Sequence, residues 1–197
     1  MPTEYWFPTP VYHNMIDNVN AVQQELQELC DTLSFEKVKE WDVRTASFTK
    51  HISPNILGSH KPRLFLTEIF NNIQQYLRET NVPQHFIDTN DLIIEESWFA
   101  KMEKGEFHWQ HAHAHYELSG VYYLKTNGDD NGICFHTPNK LANSSRIMYG
   151  LGNRRTITPQ PGLLLLFPSW LEHSVPTNQT NEERISLAFN ISMRHKP

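Results

Sequence analysis

The stretch GEFHWQHAHAHYELSGVYYL, residues 105–124, decides the fold. It carries four histidines within eight residues, at His108, His111, His113 and His115, and it ends in the β-branched and aromatic pattern of a buried strand. A fifth histidine, His173, follows the apolar run LLLLFPSWL at 163–171. Imidazoles grouped on a strand, with a distant partner after another strand, are typical of a metal site in a β-barrel. We therefore expect a metal-binding β protein.

The rest of the chain is consistent with a barrel that is preceded by helices. After Pro83, β-rich runs separated by Gly, Pro, Asn and Asp predict eight strands, near 91–103, 106–114, 118–125, 131–136, 155–159, 162–167, 172–176 and 184–193. The turn NGDDNG at 127–132 has the composition of a hairpin. Before Pro83, apolar residues at helical spacing predict two helices, from Asn20 to Leu33 and from His60 to Arg78, and WFPTPVY at 6–12 predicts an extended edge segment. We expect one domain, with helical support over 1–85 and a closed or nearly closed antiparallel barrel over 86–195.

Composition narrows the class of protein. The chain has 197 residues and a net charge of -5, with no basic patch or tail, which disfavours direct nucleic-acid binding. Its two cysteines, Cys30 and Cys134, are far apart and are expected to be buried thiols. The amino terminus has no signal-peptide pattern, and no apolar run is long enough to span a bilayer. We expect a soluble cytoplasmic protein without membrane contact.

Strand geometry selects among the histidines. Residues two apart share a strand face, so His111 and His113 are expected to point into the barrel if Phe107 and Trp109 do. By the same alternation, His108 is expected to face away from His111.

The start of the next strand limits the other candidates. Because LSGVYYL begins at residue 118, a turn is expected over 114–117, which makes His111 and His113 a safer pair than His115 with Glu117. Glu117 remains open as a fourth group. His173 is placed to supply the third ligand, and three protein ligands leave open positions for chemistry. Nitrogen ligands suit Fe(II), Zn, Ni or Cu.

A second cluster of polar residues lies in the last strand, RISLAFN at 184–190. There Arg184, Ser186 and Ala188 are expected on one face, and Ile185, Leu187 and Phe189 on the other, where they would pack. An arginine that points into a barrel requires an anion, and a guanidinium two residues from a hydroxyl can bind a ligand carboxylate. Arg184 and Ser186 therefore predict an acid-binding site.

These motifs resemble the Fe(II)- and 2-oxoglutarate-dependent oxygenases. The resemblance is closest to a bacterial and phage group with a histidine pair before SGVYYL, then GLLLLFPSWLEHSV, then ERISLAFN, and it covers roughly residues 95–193 with a weaker echo in FPTPVY. It implies a double-stranded β-helix, a jelly-roll or cupin-like barrel with two helices packed on one face. It also implies Fe(II), 2-oxoglutarate and O2 as cofactor and co-substrates, and a cytoplasmic enzyme, in the host cytoplasm if phage-encoded.

The resemblance also implies roles for individual residues. His111 and His173 match the iron ligands, and His113 stands where the wider superfamily has the carboxylate of H-x-D/E. Arg184 and Ser186 match the R-x-S pair that binds the far carboxylate of 2-oxoglutarate, and Tyr123 matches a tyrosine that reaches the same group. The activity implied is hydroxylation of an unidentified substrate, a small molecule or peptide, by chemistry similar to that of prolyl hydroxylases.

Two other readings compete with the oxygenase. A cupin would use His111, His113, Glu117 and His173 without 2-oxoglutarate, since G-x5-H-x-H-x3-E occurs from Gly105, although its later glycines are absent. A non-enzymatic, histidine-rich binding module would leave the arginine in the last strand unexplained. In the oxygenase, Trp109, Trp170 and the loop from Asn139 to Arg155, with Tyr149, Gly150 and Gly152, are candidates for the entrance.

Overall fold

The computed structural model describes residues 8–38, 42, 44–49, 54–129, 132–141, 144–147 and 152–196. These residues form ten strands: β1 Tyr12–Met15, β2 Ser47–Phe48, β3 Asn90–Met102, β4 His108–His111, β5 Leu118–Lys125, β6 Ile133–His136, β7 Arg154–Ile157, β8 Leu163–Pro168, β9 His173–Val175 and β10 Arg184–His195. They also form four helices: α1 Val19–Cys30, α2 Ile56–His60, α3 Arg63–Glu79 and α4 Gln84–Asp88. The eight strands predicted after Pro83 correspond to β3 through β10.

The helical half differs from the prediction in the start of its second helix and in two additional short helices. The helix expected from His60 to Arg78 is α3, which begins at Arg63 because Lys61 adopts a left-handed conformation with φ 51° and Pro62 is extended. Pro62 therefore occupies the position immediately before α3, where its missing N–H and fixed φ do not disturb the helix. The short helices α2 and α4 were not predicted. No helix among the described residues is long and apolar enough to cross a bilayer.

The strands form two antiparallel sheets, in the order β1-β8-β5-β10-β3-β2 and β4-β9-β6-β7. Strand β1 is an edge strand paired with β8; of the extended edge segment predicted at 6–12, Tyr12 lies in this strand, and residues 6 and 7 lie outside the described part of the chain. The sheets face each other, and the rings of Phe135 and Phe167 meet between them with centroids 4.9 Å apart. This is the double-stranded β-helix that the resemblance implies.

The NGDDNG segment does not form the expected hairpin. The strands on either side of it, β5 and β6, lie in different sheets, so this segment crosses from one sheet to the other. Asp130 and Asn131 in its middle lie outside the described residues. Both flanking glycines have positive φ, 84° at Gly128 and 53° at Gly132, which fits a turn but does not specify which strands it joins.

Alternation along the strands gives the six-stranded sheet two apolar faces. One face packs on α1, α2 and α3 and includes Phe99, Tyr122, Leu187 and Phe189. The other face looks toward the four-stranded sheet and carries Trp98 and Met102 from β3, Tyr123 from β5 and Leu165 from β8. The helices therefore cover the sheet from outside, and its inner face remains available for a site.

The segment 44–49 closes the barrel along one side. The N–H of Ala46 donates to the carbonyl of Phe107, 3.2 Å away, and the N–H of Thr49 donates to that of Phe99, 3.1 Å away. Between these bonds, β2 pairs with β3 and forms the edge of the six-stranded sheet. The segment thus connects the edges of both sheets and directs Phe48 inward, where it is 4% exposed.

Candidate metal centre

Three predicted histidines meet at the inner face of the four-stranded sheet. Strands β4 and β9 pair with His111 directly opposite His173, and the two rings lie 4.3 Å apart. The ring of His113 lies 4.9 Å from that of His111 and 5.5 Å from that of His173. One ring nitrogen from each residue lies within 4.8 Å of the others. The structure therefore brings together the triad expected from the sequence.

The prediction that His113 lies on the same strand as His111 is wrong. Strand β4 ends at His111, and His113 lies in the following loop, where its N–H donates to the carbonyl of Ser169 at 2.8 Å. The register also shifts between His108 and His111, so simple alternation does not hold along β4. Trp109 is 50% exposed and does not point into the barrel.

His108 also lies in the site, contrary to the prediction that it faces away. Its ring stacks on that of His111 with centroids 4.2 Å apart and packs edge-on against Phe48 at 5.3 Å. The register shift in β4 turns His108 to the same side as His111. His108 is not in the group whose ring nitrogens converge, so it lines the site beside the triad.

Hydrogen bonds prepare two of the imidazoles for a metal. The Nδ1 of His111 lies 2.7 Å from the carbonyl oxygen of Trp109, and the Nδ1 of His173 lies 2.9 Å from that of Leu171. A carbonyl oxygen can only accept, so Nδ1 carries the proton and Nε2 presents its lone pair. Burial lowers the pKa of His173 well below its usual value, and the nearby His111 adds to the effect, so this ring stays neutral. The donors fit a divalent metal that accepts imidazole nitrogen.

Burial also keeps His108 neutral. Removal from water lowers its pKa to about 3, with a further contribution from His111. A neutral imidazole beside the triad can donate or accept one hydrogen bond without adding positive charge to a metal site.

The other acidic and histidine candidates lie elsewhere. Glu117 and His115 are both exposed, and neither belongs to the converging group found among the described residues. The backbone of Glu117 pairs with Ile191 and Ser169, which fixes it at the start of β5. The four-ligand set of a cupin is therefore incomplete here, and the three histidines stand without Glu117.

A cavity of about 70 Å³ extends from the triad between the two sheets, which is room for several waters. Arg184 lies in its wall and is 3% exposed, with its Nη2–H donating to the Sδ of Met102 at 3.0 Å. Ser186 and Ala188 follow on the same face, as predicted from the alternation in β10. The remaining wall is mainly apolar and includes Ala46, Phe48, Trp98, Phe167 and Val175.

The other predicted residues of the pocket are placed less directly. Tyr123 lies opposite Ser186 in the β5–β10 pairing and is 2% exposed, but it packs with Ile133 and Phe135 and is not among the residues that line the cavity. Trp170 is 49% exposed, next to Ser169. Of the loop proposed for the entrance, Tyr149 and Gly150 lie outside the described residues.

Two parts of the cavity wall were not predicted from the sequence. Ala46 and Phe48 line the cavity although they precede β3 by more than forty positions, and only the long-range pairing of β2 brings them there. Ser119 and Asn190 line it from neighbouring strands and were not singled out, because polar residues on a strand are usually solvent-facing.

Comparisons with known proteins agree with this geometry. Residues 96–190 match the family model described as "Putative 2OG-Fe(II) oxygenase". A prolyl-4-hydroxylase from Pseudomonas putida is 16% identical with a TM-score of 0.60, over 94% of this chain and 94% of its own. HygX from Streptomyces hygroscopicus, crystallised with nickel, 2-oxoglutarate and hygromycin B, is 13% identical with a TM-score of 0.60, over 93% and 83% of the two chains.

An oxidoreductase of the 2OG-Fe(II) oxygenase family from Burkholderia pseudomallei is 18% identical with a TM-score of 0.55, over 86% and 77% of the two chains. No curated protein sequence matches the chain. At these identities the solved structures establish the fold, and the family model spans every residue predicted for the site. Residues 96–190, just under half of the chain, are therefore similar to the 2OG-Fe(II) oxygenase family, and the fold is shared with solved structures of that kind.

Proposed function

We propose that His111, His113 and His173 bind Fe(II) and that Arg184 and Ser186 bind the far carboxylate of 2-oxoglutarate. The observation that supports this most is a single cavity with three converging imidazoles and a buried arginine in its walls. Together the metal and co-substrate supply the chemistry: O2 and 2-oxoglutarate are consumed, a substrate C–H bond becomes C–OH, and succinate and carbon dioxide are released.

The chain's own residues prepare this site in two ways. The carbonyls of Trp109 and Leu171 fix the rings of His111 and His173, so that Nε2 faces the metal position. The apolar wall around Arg184 keeps it away from bulk water, which strengthens the attraction between its guanidinium and a bound carboxylate. Tyr123 is proposed to assist Arg184 after a change of side-chain position.

The proposal extends to the surroundings of the enzyme. We infer one domain over 1–197, a cytoplasmic location, and a small molecule or peptide as substrate, without direct contact to nucleic acid. Free, buried Cys30 and Cys134 are compatible with a reducing compartment. The hydroxylase among the similar structures, which is named for action on proline, makes peptidyl or free amino acids reasonable first substrates to screen.

The test uses the visible charge-transfer band of Fe(II) chelated by 2-oxoglutarate. Protein purified without oxygen is titrated with Fe(II) and then with 2-oxoglutarate. Wild type should develop the band, and Arg184→Ala should need roughly 10- to 100-fold more 2-oxoglutarate, since a hydrogen-bonded charge contributes about 1.5–3 kcal/mol.

The matched control is Arg194→Ala, because Arg194 lies on the same strand but outside the cavity, paired with Glu95. It should titrate as wild type does. No band in wild type, or an unchanged titration in Arg184→Ala, would contradict the proposed function.

A further inference from the structure

The third histidine of the triad is held differently from the other two. His111 and His173 lie in strands that pair with each other, whereas His113 lies in the loop between β4 and β5. Its backbone is fixed by the bond from its N–H to the carbonyl of Ser169, 2.8 Å away. The position of His113 therefore depends on what holds Ser169.

Ser169 is held by a chain of buried hydrogen bonds that begins at its own hydroxyl. Its Oγ lies 2.8 Å from the Oγ of Ser119, which in turn lies 2.8 Å from the Oδ1 of Asn190. The Nδ2 of Asn190 donates to the Oε2 of Glu96 at 3.2 Å. Ser169, Ser119 and Asn190 are 0%, 2% and 1% exposed. The chain connects the turn after β8 with β5, β10 and β3.

The carboxylate at its end fixes the direction of every bond. Glu96 accepts from the amide nitrogen of Asn190, so the amide oxygen of Asn190 is the acceptor for Ser119. The one proton of Ser119 is then used, so Ser119 must accept from the hydroxyl of Ser169. Hydrogen bonds aligned in one direction toward a charge strengthen one another.

Glu96 also reaches the loop from its other side. The hydroxyl of Tyr116 hydrogen-bonds Glu96, and the N–H of Tyr116 donates to the carbonyl of His113 at 3.0 Å. The backbone of His113 is therefore connected to one carboxylate by two routes, through Ser169 at its N–H and through Tyr116 at its carbonyl.

We propose that the chain Ser169–Ser119–Asn190–Glu96 is a positioning device that holds His113 ready to bind the metal. This inference rests on the proposed function, because it assumes that His113 is a ligand. A loop histidine that is not held in place must be ordered when the metal binds, and the lost conformational freedom weakens affinity. The Ser119 hydroxyl supplies the order in advance without touching the metal.

A purely structural role is the competing explanation, and Ser97 provides the control for it. Ser97 is 0% exposed on β3, a strand of the same sheet, and its hydroxyl likewise makes two hydrogen bonds of 2.8 Å, donating to Oδ1 of Asn55 and accepting from the N–H of Leu57. It lies on the helix side of the sheet and has no connection to His113 through these bonds. Ser119→Ala and Ser97→Ala thus remove equivalent groups from a buried sheet.

The experiment measures three properties that general destabilisation does not change in the same way. Co(II) affinity is measured by chelator competition, and the absorption spectrum is recorded on the Co(II)-loaded protein. Amide hydrogen exchange at His113 is measured without metal. Ser119→Ala and Ser169→Ala should each weaken Co(II) binding about 10- to 100-fold, alter the spectrum and accelerate exchange at His113. Ser119→Thr, which keeps the hydroxyl, should recover most of the affinity, and Ser97→Ala should match wild type.

Both alanine variants break the hydrogen bond between Ser169 and Ser119. The double variant should therefore bind Co(II) about as tightly as the weaker of the two single variants. Wild type that binds no Co(II) would overturn the proposed function itself. Wild type that binds Co(II), with Ser119→Ala and Ser169→Ala unchanged in affinity and exchange or no different from Ser97→Ala, would overturn the positioning role alone.

Discussion

Position 113 determines the charge of the site. Where the wider superfamily has a carboxylate, this chain has an imidazole, so three neutral ligands would leave the two positive charges of Fe(II) uncompensated by the protein. With the guanidinium of Arg184 the site would carry three positive charges, two of which a doubly charged co-substrate such as 2-oxoglutarate would balance. The triad and buried Arg184 together therefore favour a dianionic ligand.

The ligand role of His113 can be tested against its neighbour in sequence. His113→Ala removes one of three donors and should weaken Co(II) binding roughly 100-fold, by analogy with the several kcal/mol that each ligand contributes at protein metal sites. His113→Asp restores the usual carboxylate and should retain binding. His115→Ala removes an exposed histidine outside the triad and should stay within twofold of wild type. Loss of metal in His115→Ala but not in His113→Ala would mean that the ligand is misassigned.

His108 provides a second prediction at this scale. Its ring stacks on His111, but its nitrogens do not converge with the triad. His108→Leu keeps the apolar contact with Phe48 and should change Co(II) affinity less than about tenfold, the lower end of what a group supporting a ligand contributes. Competition with a chelator measures this. A loss as large as that of His113→Ala would make His108 a ligand.

Among the elements, the central pair of strands β5 and β10 is closely packed. Gly120 faces Phe189 across this pair, and a Cβ at position 120 would lie 2.2 Å from the Cζ of Phe189. Gly120→Ala should therefore destabilise the protein by roughly 1–3 kcal/mol, as overpacking of a core does. Urea unfolding measures the change in the free energy of unfolding.

The smaller side chain of Phe189→Leu provides the control for this steric explanation. In the Phe189→Leu background, Gly120→Ala should lower the free energy of unfolding by clearly less than it does in wild type. The double variant should therefore be more stable than the sum of the two single effects predicts. Equal costs in both backgrounds would show that the ring of Phe189 is not what excludes a side chain at position 120.

What the sequence could predict at this scale depended on how local the pattern was. The alternation in β10 is local, so the inward side of Arg184 and the outward side of Leu187 were predicted correctly. The bulge in β4 leaves no pattern in the sequence, which is why His108 was assigned to the wrong face. The wall formed by Phe48 depends on pairing with a strand far along the chain, and such pairing cannot be derived from a short window.

At the scale of the whole molecule, the site joins parts that are distant in sequence. Phe48 comes from the segment before α2, His111 and His173 come from the four-stranded sheet, and Arg184 comes from the six-stranded sheet. A ligand that contacts both sheets binds only when the barrel is closed. Binding of metal and co-substrate should therefore stabilise the native state as a whole, and the metal should bind before the co-substrate.

Thermal unfolding with Ni(II) in place of iron tests that order. At 100 times its Kd a ligand adds about 2.7 kcal/mol, which in a chain of this length raises Tm by about 5–10 °C. Ni(II) should raise the Tm of wild type, and 2-oxoglutarate should raise it further only when Ni(II) is present, because the metal holds one end of the acid. Arg184→Ala should keep the first rise and lose most of the second, whereas Arg194→Ala should keep both. A rise of the same size with 2-oxoglutarate alone would show that the acid binds without the triad, and the coupling between Arg184 and the three histidines would then be wrong.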